Sequence, residues 1–228
     1  ESKAKVQETE KEKEVVYLKH TDVEKIEGYV SEFTSGVISA YSDVSVKLSE
    51  SFKPEFEIKE NQLIDKSIAE ISPKIDGDII WGDKNTIIVK PFKKFKYNQI
   101  YTIKVHLDKL FKDVPDESKI FSFQVATRKL EFDVSFNNII FSEIDGKYCQ
   151  TVEGVLEFSD FVSNEDVEQI INIDKNDITL EWDHSAGSNK HLFRFKDIPR
   201  DKKSYNIKIT WNGKSIDSKT SGKKVVEI

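Results

Sequence analysis

The sequence predicts an all-β protein, with two consecutive antiparallel β-sandwich modules over residues 28–127 and 128–228 after a disordered N-terminal tether over residues 1–27. Three observations predict it. Apolar residues recur with period two through most of the chain, turn-forming pairs punctuate the runs, and one order of strands, insert and Trp-ended strand occurs twice. A length of 228 residues also suits two sandwiches of roughly 100 residues each better than one.

The opening segment, ESKAKVQETEKEKEVVYLKHTDVEK, mixes Lys and Glu with few apolar residues. Those residues cannot offset the entropy of ordering it, so it reads as a tether; the alternative is an exposed helix with Glu and Lys at supportive spacings. Alternation then sets in. Val44, Val46 and Leu48 point one way while Ser45, Lys47 and Ser49 point the other. The pattern returns in Tyr101, Ile103, Val105 and Leu107, in Phe121, Phe123 and Val125, and in Leu130, Phe132, Val134 and Phe136. Asp76-Gly77, Gly82-Asp83, Asp145-Gly146 and Asn212-Gly213 supply residues that tolerate positive φ at turns. Strands and turns without regular helical crossovers argue for antiparallel sheets.

Helix is expected only in short inserts. Ser163 caps a stretch to Ile171 with acidic residues in its first turn and Val167, Ile170 and Ile171 on one face. Residues Asn61 to Glu70 are expected to play the same part earlier, with Leu63, Ile64 and Ile68 inward.

The two halves share an order of events. Val44 to Ser49, an insert, Ile71 to Ile75, Asp78 to Trp81, Thr86 to Val89 and Tyr101 to Val105 correspond to Val155 to Ser159, a short helix, Ile171 to Ile173, Ile178 to Trp182, Leu192 to Phe195 and Tyr205 to Ile209. Trp81 and Trp182 are expected as core anchors, each contributing about 2–3 kcal/mol when fully buried.

Composition excludes some functions. Thirty-five basic side chains are interleaved with 41 acidic ones for a formal charge of -6, which leaves no basic stripe for a phosphate backbone, so no nucleic-acid partner is expected. Apolar runs such as Ile79-Ile80-Trp81 and Ile139-Ile140-Phe141 are far shorter than the roughly 20 residues that span a bilayer. The absence of Met leads us to expect a removed leader or a longer parent chain before residue 1.

Few residues invite chemistry, and no catalytic, cofactor-binding or metal residue is assigned. His184 and His191 flank a loop and could approach across a hairpin near Asp183, a set that would suit a transition metal; polar residues at a loop mouth are the simpler reading. Asp174-Lys175-Asn176-Asp177 lacks the central Gly and distal Glu of a calcium loop and reads as a turn. Cys149 has no His or helix N-terminus beside it in sequence and reads as a small residue at a strand start. No cofactor is expected.

Gly154-Val155-Leu156-Glu157-Phe158-Ser159 with the helix after it, and Trp211 to Ile216 running on to Val225-Val226-Glu227-Ile228, rise above a generic sandwich. With Ile71-Ser72-Pro73 to Trp81 and Phe121 to Thr127, they resemble the N-terminal region of bacterial alpha-2-macroglobulin family proteins, over about residues 28 to 228. The first module is also similar to bacterial Ig-like repeats of surface proteins. The resemblance implies Ig-like modules and a non-enzymatic role as the tethering and spacing start of a large envelope protease inhibitor, an outer-membrane lipoprotein at the periplasm or cell surface. Its partners would be proteases, met through the full-length protein, or other envelope proteins, and a lipid anchor upstream of residue 1 would meet the membrane. The family's thioester motif reads Cys-Gly-Glu-Gln, whereas Cys149 is followed by Gln150, Thr151 and Val152, so that function does not transfer. An Ig-like stalk of an adhesin or surface-assembly protein is the alternative, and a carbohydrate-active or metal-dependent enzyme is a third class.

Overall fold

A computed structural model describes residues 18–54, 56–175, 177–200 and 203–228. The described residues are all-β apart from single turns of helix. The strands are β1 (Val30–Phe33), β2 (Gly36–Ile38), β3 (Val44–Leu48), β4 (Ala69–Ser72), β5 (Gly77–Trp81), β6 (Thr86–Pro91), β7 (Ile100–His106) and β8 (Ile120–Thr127) in the N-terminal half. The C-terminal half holds β9 (Phe132–Ile144), β10 (Lys147–Phe158), β11 (Ile171–Ile173), β12 (Thr179–Asp183), β13 (Lys190–Pro199), β14 (Asn206–Asn212) and β15 (Ser221–Glu227).

These strands form four sheets, ordered β1-β3-β6-β5, β2-β8-β7-β4, β12-β13-β10-β9 and β11-β14-β15. The repetition in the sequence is therefore repeated in space. β1-β3-β6-β5 has the order of β9-β10-β13-β12, and β8-β7-β4 that of β15-β14-β11. One strand has no counterpart: β2 adds to β8 in parallel, with Gly36 opposite Val125, so the expectation of purely antiparallel pairing is corrected there.

The period-two reading places the core well. Val44, Val46, Leu48, Tyr101, Ile103, Val105, Phe121, Phe123, Val125, Leu130 and Phe132 are all buried. Leu107 is buried too, but in a 3-10 turn beyond the end of β7. One apolar cluster runs from Ile26 through Leu130 to Ile228.

Several expectations are corrected. The tether is expected to reach residue 27. Its first 17 residues lie outside the described residues, but the remainder is packed: Thr21 N–H donates to Ser122 O at 2.7 Å, and α1 (Val23–Ile26) buries Ile26. The expected helix over 61–70 does not form. Asn61 takes φ 62°, its N–H and that of Ile64 donate to Trp81 O and Ile79 O along β5, and Asp65 caps a turn through Ser67 N–H before β4 begins. Ile64 is buried as expected, but Leu63 points outward at 63% exposure. The helix at Ser163 does form, with the Ser163 hydroxyl accepting from Asp166 N–H, but α2 spans only Asn164–Val167 because Ile171 must start β11. Val167, Ile170 and Ile171 are buried as expected, but only Val167 belongs to the helix and Ile171 to β11.

Trp81 is 1% exposed and stacks on Phe52 at 5.7 Å, an anchor as expected. Trp182, at the equivalent strand end, is only partly buried and stacks on His184 at 5.8 Å. Of the four expected turn pairs only Asp145-Gly146 uses positive φ, 51° and 74°, closing the β9–β10 hairpin. Gly213 serves by lacking a Cβ, which would stand 2.6 Å from the Phe132 ring.

Candidate functional site

The most elaborated polar site is the joint between the halves. The chain passes from β8 to β9 through Arg128 to Glu131, and hydrogen bonds tie Arg128, Lys129 and Glu131. Arg128 N–H donates to Ile38 O at 3.0 Å, Asn98 N–H donates to Arg128 O at 3.0 Å, and the Ser159 hydroxyl donates to Lys129 O at 2.8 Å. Glu131 N–H in turn donates to the Ser159 hydroxyl oxygen at 2.9 Å.

Asp160 follows at once. Its side chain is 4% exposed, and Oδ2 accepts from the N–H of Ala40 at 2.8 Å, on the loop between β2 and β3, while Oδ1 accepts from Phe161 N–H at 2.9 Å. A carboxylate held by backbone amides is a charge-assisted contact, stronger than a neutral one. The neighbouring contacts reinforce it: Tyr97 O–H donates to Phe161 O at 2.8 Å, and Tyr41 meets the Phe161 ring edge-on at 4.6 Å. Lys94 lies 4.4 Å above the Tyr97 ring and 5.8 Å from that of Tyr41. Burial, with Asp160 and Asp166 nearby, raises both phenol pKa values, so the two hydroxyls stay protonated and Tyr97 remains a donor. Sequence reading missed Asp160 and the tyrosines, since an Asp after a strand normally signals a turn.

The structure brings His184 and His191 together as the sequence suggested, with Nδ1 atoms 2.7 Å apart. The third member differs. Asp183 accepts from the N–H and hydroxyl of Ser185, while Glu168 at the end of α2 meets His184 Nε2 at 3.2 Å. The Nδ1–Nδ1 contact needs one ring to donate and the other to accept. His191 is 1% exposed, its Nε2 has no hydrogen-bond partner, and burial lowers its pKa below the ordinary value, with His184 adding to the shift. His191 is thus neutral at pH 7. Among the described residues no group of three or more His, Cys, Asp or Glu is placed to hold a metal.

The other candidates are structural. Asp174 accepts from Lys208 N–H at 2.9 Å, tying the loop after β11 to β14, and Asn176 lies outside the described residues. Cys149 is half-buried within β10. A groove of about 920 Å³ is lined by Tyr29, Phe52, Phe56 and Phe111 with Lys53 and Asp108.

No family model matches the chain, and no curated protein matches it.

Proposed function

We propose that this chain is a non-enzymatic spacer made of two Ig-like sandwich modules, the first beginning near residue 18, held at a fixed mutual angle. The strand orders β1-β3-β6-β5 and β8-β7-β4, with their repeat in the second half, match the ABED and GFC orders of constant-type Ig domains, and this supports the module reading. The observation that carries the spacer reading is the joint: a linker of about four residues without Gly, tied along its length and clamped by the buried Asp160 on Ala40.

The sequence resemblance gives this spacer a setting. It would be the tethering and interaction region at the start of an alpha-2-macroglobulin-like envelope protease inhibitor, anchored as an outer-membrane lipoprotein and meeting proteases through the parent protein. The tandem repetition of one strand order favours a second reading, an Ig-like stalk of a surface adhesin or assembly protein. A lipid-attachment Cys upstream and a very long continuation downstream would favour the first, and further tandem copies the second.

Small-angle scattering of the chain under monomeric conditions tests the spacer. A profile fitted by one inter-module angle is expected, and one that requires a broad ensemble of angles rejects it.

A further inference from the structure

We propose that the outer edge of β9 is a self-association surface, at which two copies of this chain pair antiparallel across a two-fold axis. Every other free sheet edge among the described residues is short or carries charge. β2 and β11 have three residues each, β1 has four with Glu32 and a bulge, and β4 has four with Glu70. β5 carries Asp78 and has Leu63 bridged to Ile80, β12 carries Glu181 and Asp183, and β15 carries Lys223 and Lys224. These are the usual devices that stop a sheet from recruiting another strand. β9 carries Asp133 and Glu143 near its ends and a bulge at Asn137, between the Phe136–Gly154 and Asn138–Glu153 pairs, but beyond the bulge Asn138 to Ser142 is regular and uncharged. It runs for 13 residues, and from Val134 to Ser142 holds no charge and no Pro.

The far part of the β9–β10 hairpin is also apolar on both faces. Ile139, Phe141 and Tyr148 are 53%, 52% and 53% exposed, and Ile140 and Ile144 are 45% and 44% exposed. Val152, which is buried, stands opposite Ile139, so Ile139 and Phe141 lie on the inner face beyond the cover of the second sheet, and Ile140 and Ile144 lie on the outer one. At half exposure five such side chains leave roughly 400–500 Å² of apolar surface, at the upper end of what a monomer normally shows.

The edge is self-complementary. The two-residue turn at Asp145-Gly146, with both φ values positive, makes Ile144 and Lys147 a hydrogen-bonded pair, so Ile139, Phe141 and Glu143 direct their N–H and C=O groups to the free side. A two-fold axis at Ile140 then sets Phe141 against Ile139 of the second copy, an aromatic and β-branched pair within the regular stretch beyond the bulge, with no like charges opposed. Strand backbones plus flanking side chains from two copies come to about 1,200 Å², the lower limit of specific interfaces, where weak association is expected.

Sedimentation velocity of the full chain from about 1 µM to about 300 µM should show a monomer passing to a dimer. Ile140→Lys, an exposed change that opposes two cations at the axis, should weaken the dimer at least about tenfold, whereas Val225→Lys on β15 should leave it unchanged. Amide exchange in the unsubstituted chain should slow with concentration at Ile139 and Phe141. A monomer throughout that range, or a dimer indifferent to Ile140→Lys, overturns the proposal. So does retention of the monomer on phosphatidylglycerol vesicles through the same side chains, which would assign the edge to a lipid surface. Either outcome leaves the spacer reading standing, because the joint lies at the opposite end of β9.

Discussion

His191 shows at the level of one residue how burial converts a loop-mouth polar pair into an acid-sensitive element. Its pKa is lowered in the folded chain, so below the ordinary value of about 6.5 the unfolded chain binds the proton more readily. The stabilisation from a neutral, buried ring is therefore complete above about pH 6.5 and declines as pH falls toward the lowered folded value. Urea midpoints of the unsubstituted chain should fall between about pH 6.5 and pH 5. His191→Leu should flatten that slope while changing stability at pH 8 by less than about 1 kcal/mol, because it removes an unpartnered Nε2 together with one hydrogen bond. An unchanged slope would rule out His191 as its source. Gly154 makes a second case. A Cβ there would stand 2.6 Å from Ser135 O and against the Phe193 ring, so Gly154→Ala should cost about 1–3 kcal/mol in the same denaturation experiment. The meeting of His184 and His191 was legible because both flank a loop of hairpin length, but Glu168 was not, since only the fold carries α2 to that loop mouth. Trp182 misled because a Trp ending a strand looks the same whether its neighbour is a buried Phe52 or a partly buried His184 at a loop mouth.

Among the elements, strands whose buried face alternates strictly were legible in position and in face, as β3 and β7 demonstrate. The segment over 61–70 was not, because its apolar spacing suits a helix equally well and the decision rests on β5, whose carbonyls capture the N–H groups of Asn61 and Ile64. The length of β9 and β10 also escaped sequence reading: beyond Val152 their side chains leave the core, so burial no longer marks them as strand. What extends the hairpin is its turn. Gly146 sits at φ 74°, and Gly146→Val forces a β-branched residue into the left-handed region at a cost of about 1–2 kcal/mol. The loss should be local. Amide exchange from Ile139 to Gln150 should accelerate about tenfold or more while Val155 and Leu156 stay protected, and uniform acceleration across β10 would refute an independently fraying tip.

At the scale of the whole molecule, the duplication was legible because each half repeats the same order of apolar runs and turns, and so was a short joint without Gly or Pro at Ala126-Thr127-Arg128-Lys129-Leu130, but not the contact beside it. Nothing in Ser159-Asp160-Phe161 announces that a carboxylate will reach the backbone of Ala40, 120 residues away. The proposed spacer rests on that contact. Asp160→Ala leaves the Ala40 N–H buried without a partner, so it should destabilise the chain by about 1–3 kcal/mol. Tyr97→Phe removes only the bond to Phe161 O and should cost about 0.5–1.5 kcal/mol. Because both bonds close the same joint, the double variant should cost less than the sum of the two, with a coupling of at least about 0.5 kcal/mol in a double-mutant cycle. Scattering supplies the second readout, on the Ile140→Lys background so that association does not contribute. The Asp160→Ala profile should need a spread of inter-half angles that the parent profile does not. Additive stabilities together with an unaltered profile would mean that the linker backbone alone fixes the angle, and Asp160 would then be a local cap rather than the clamp of the joint.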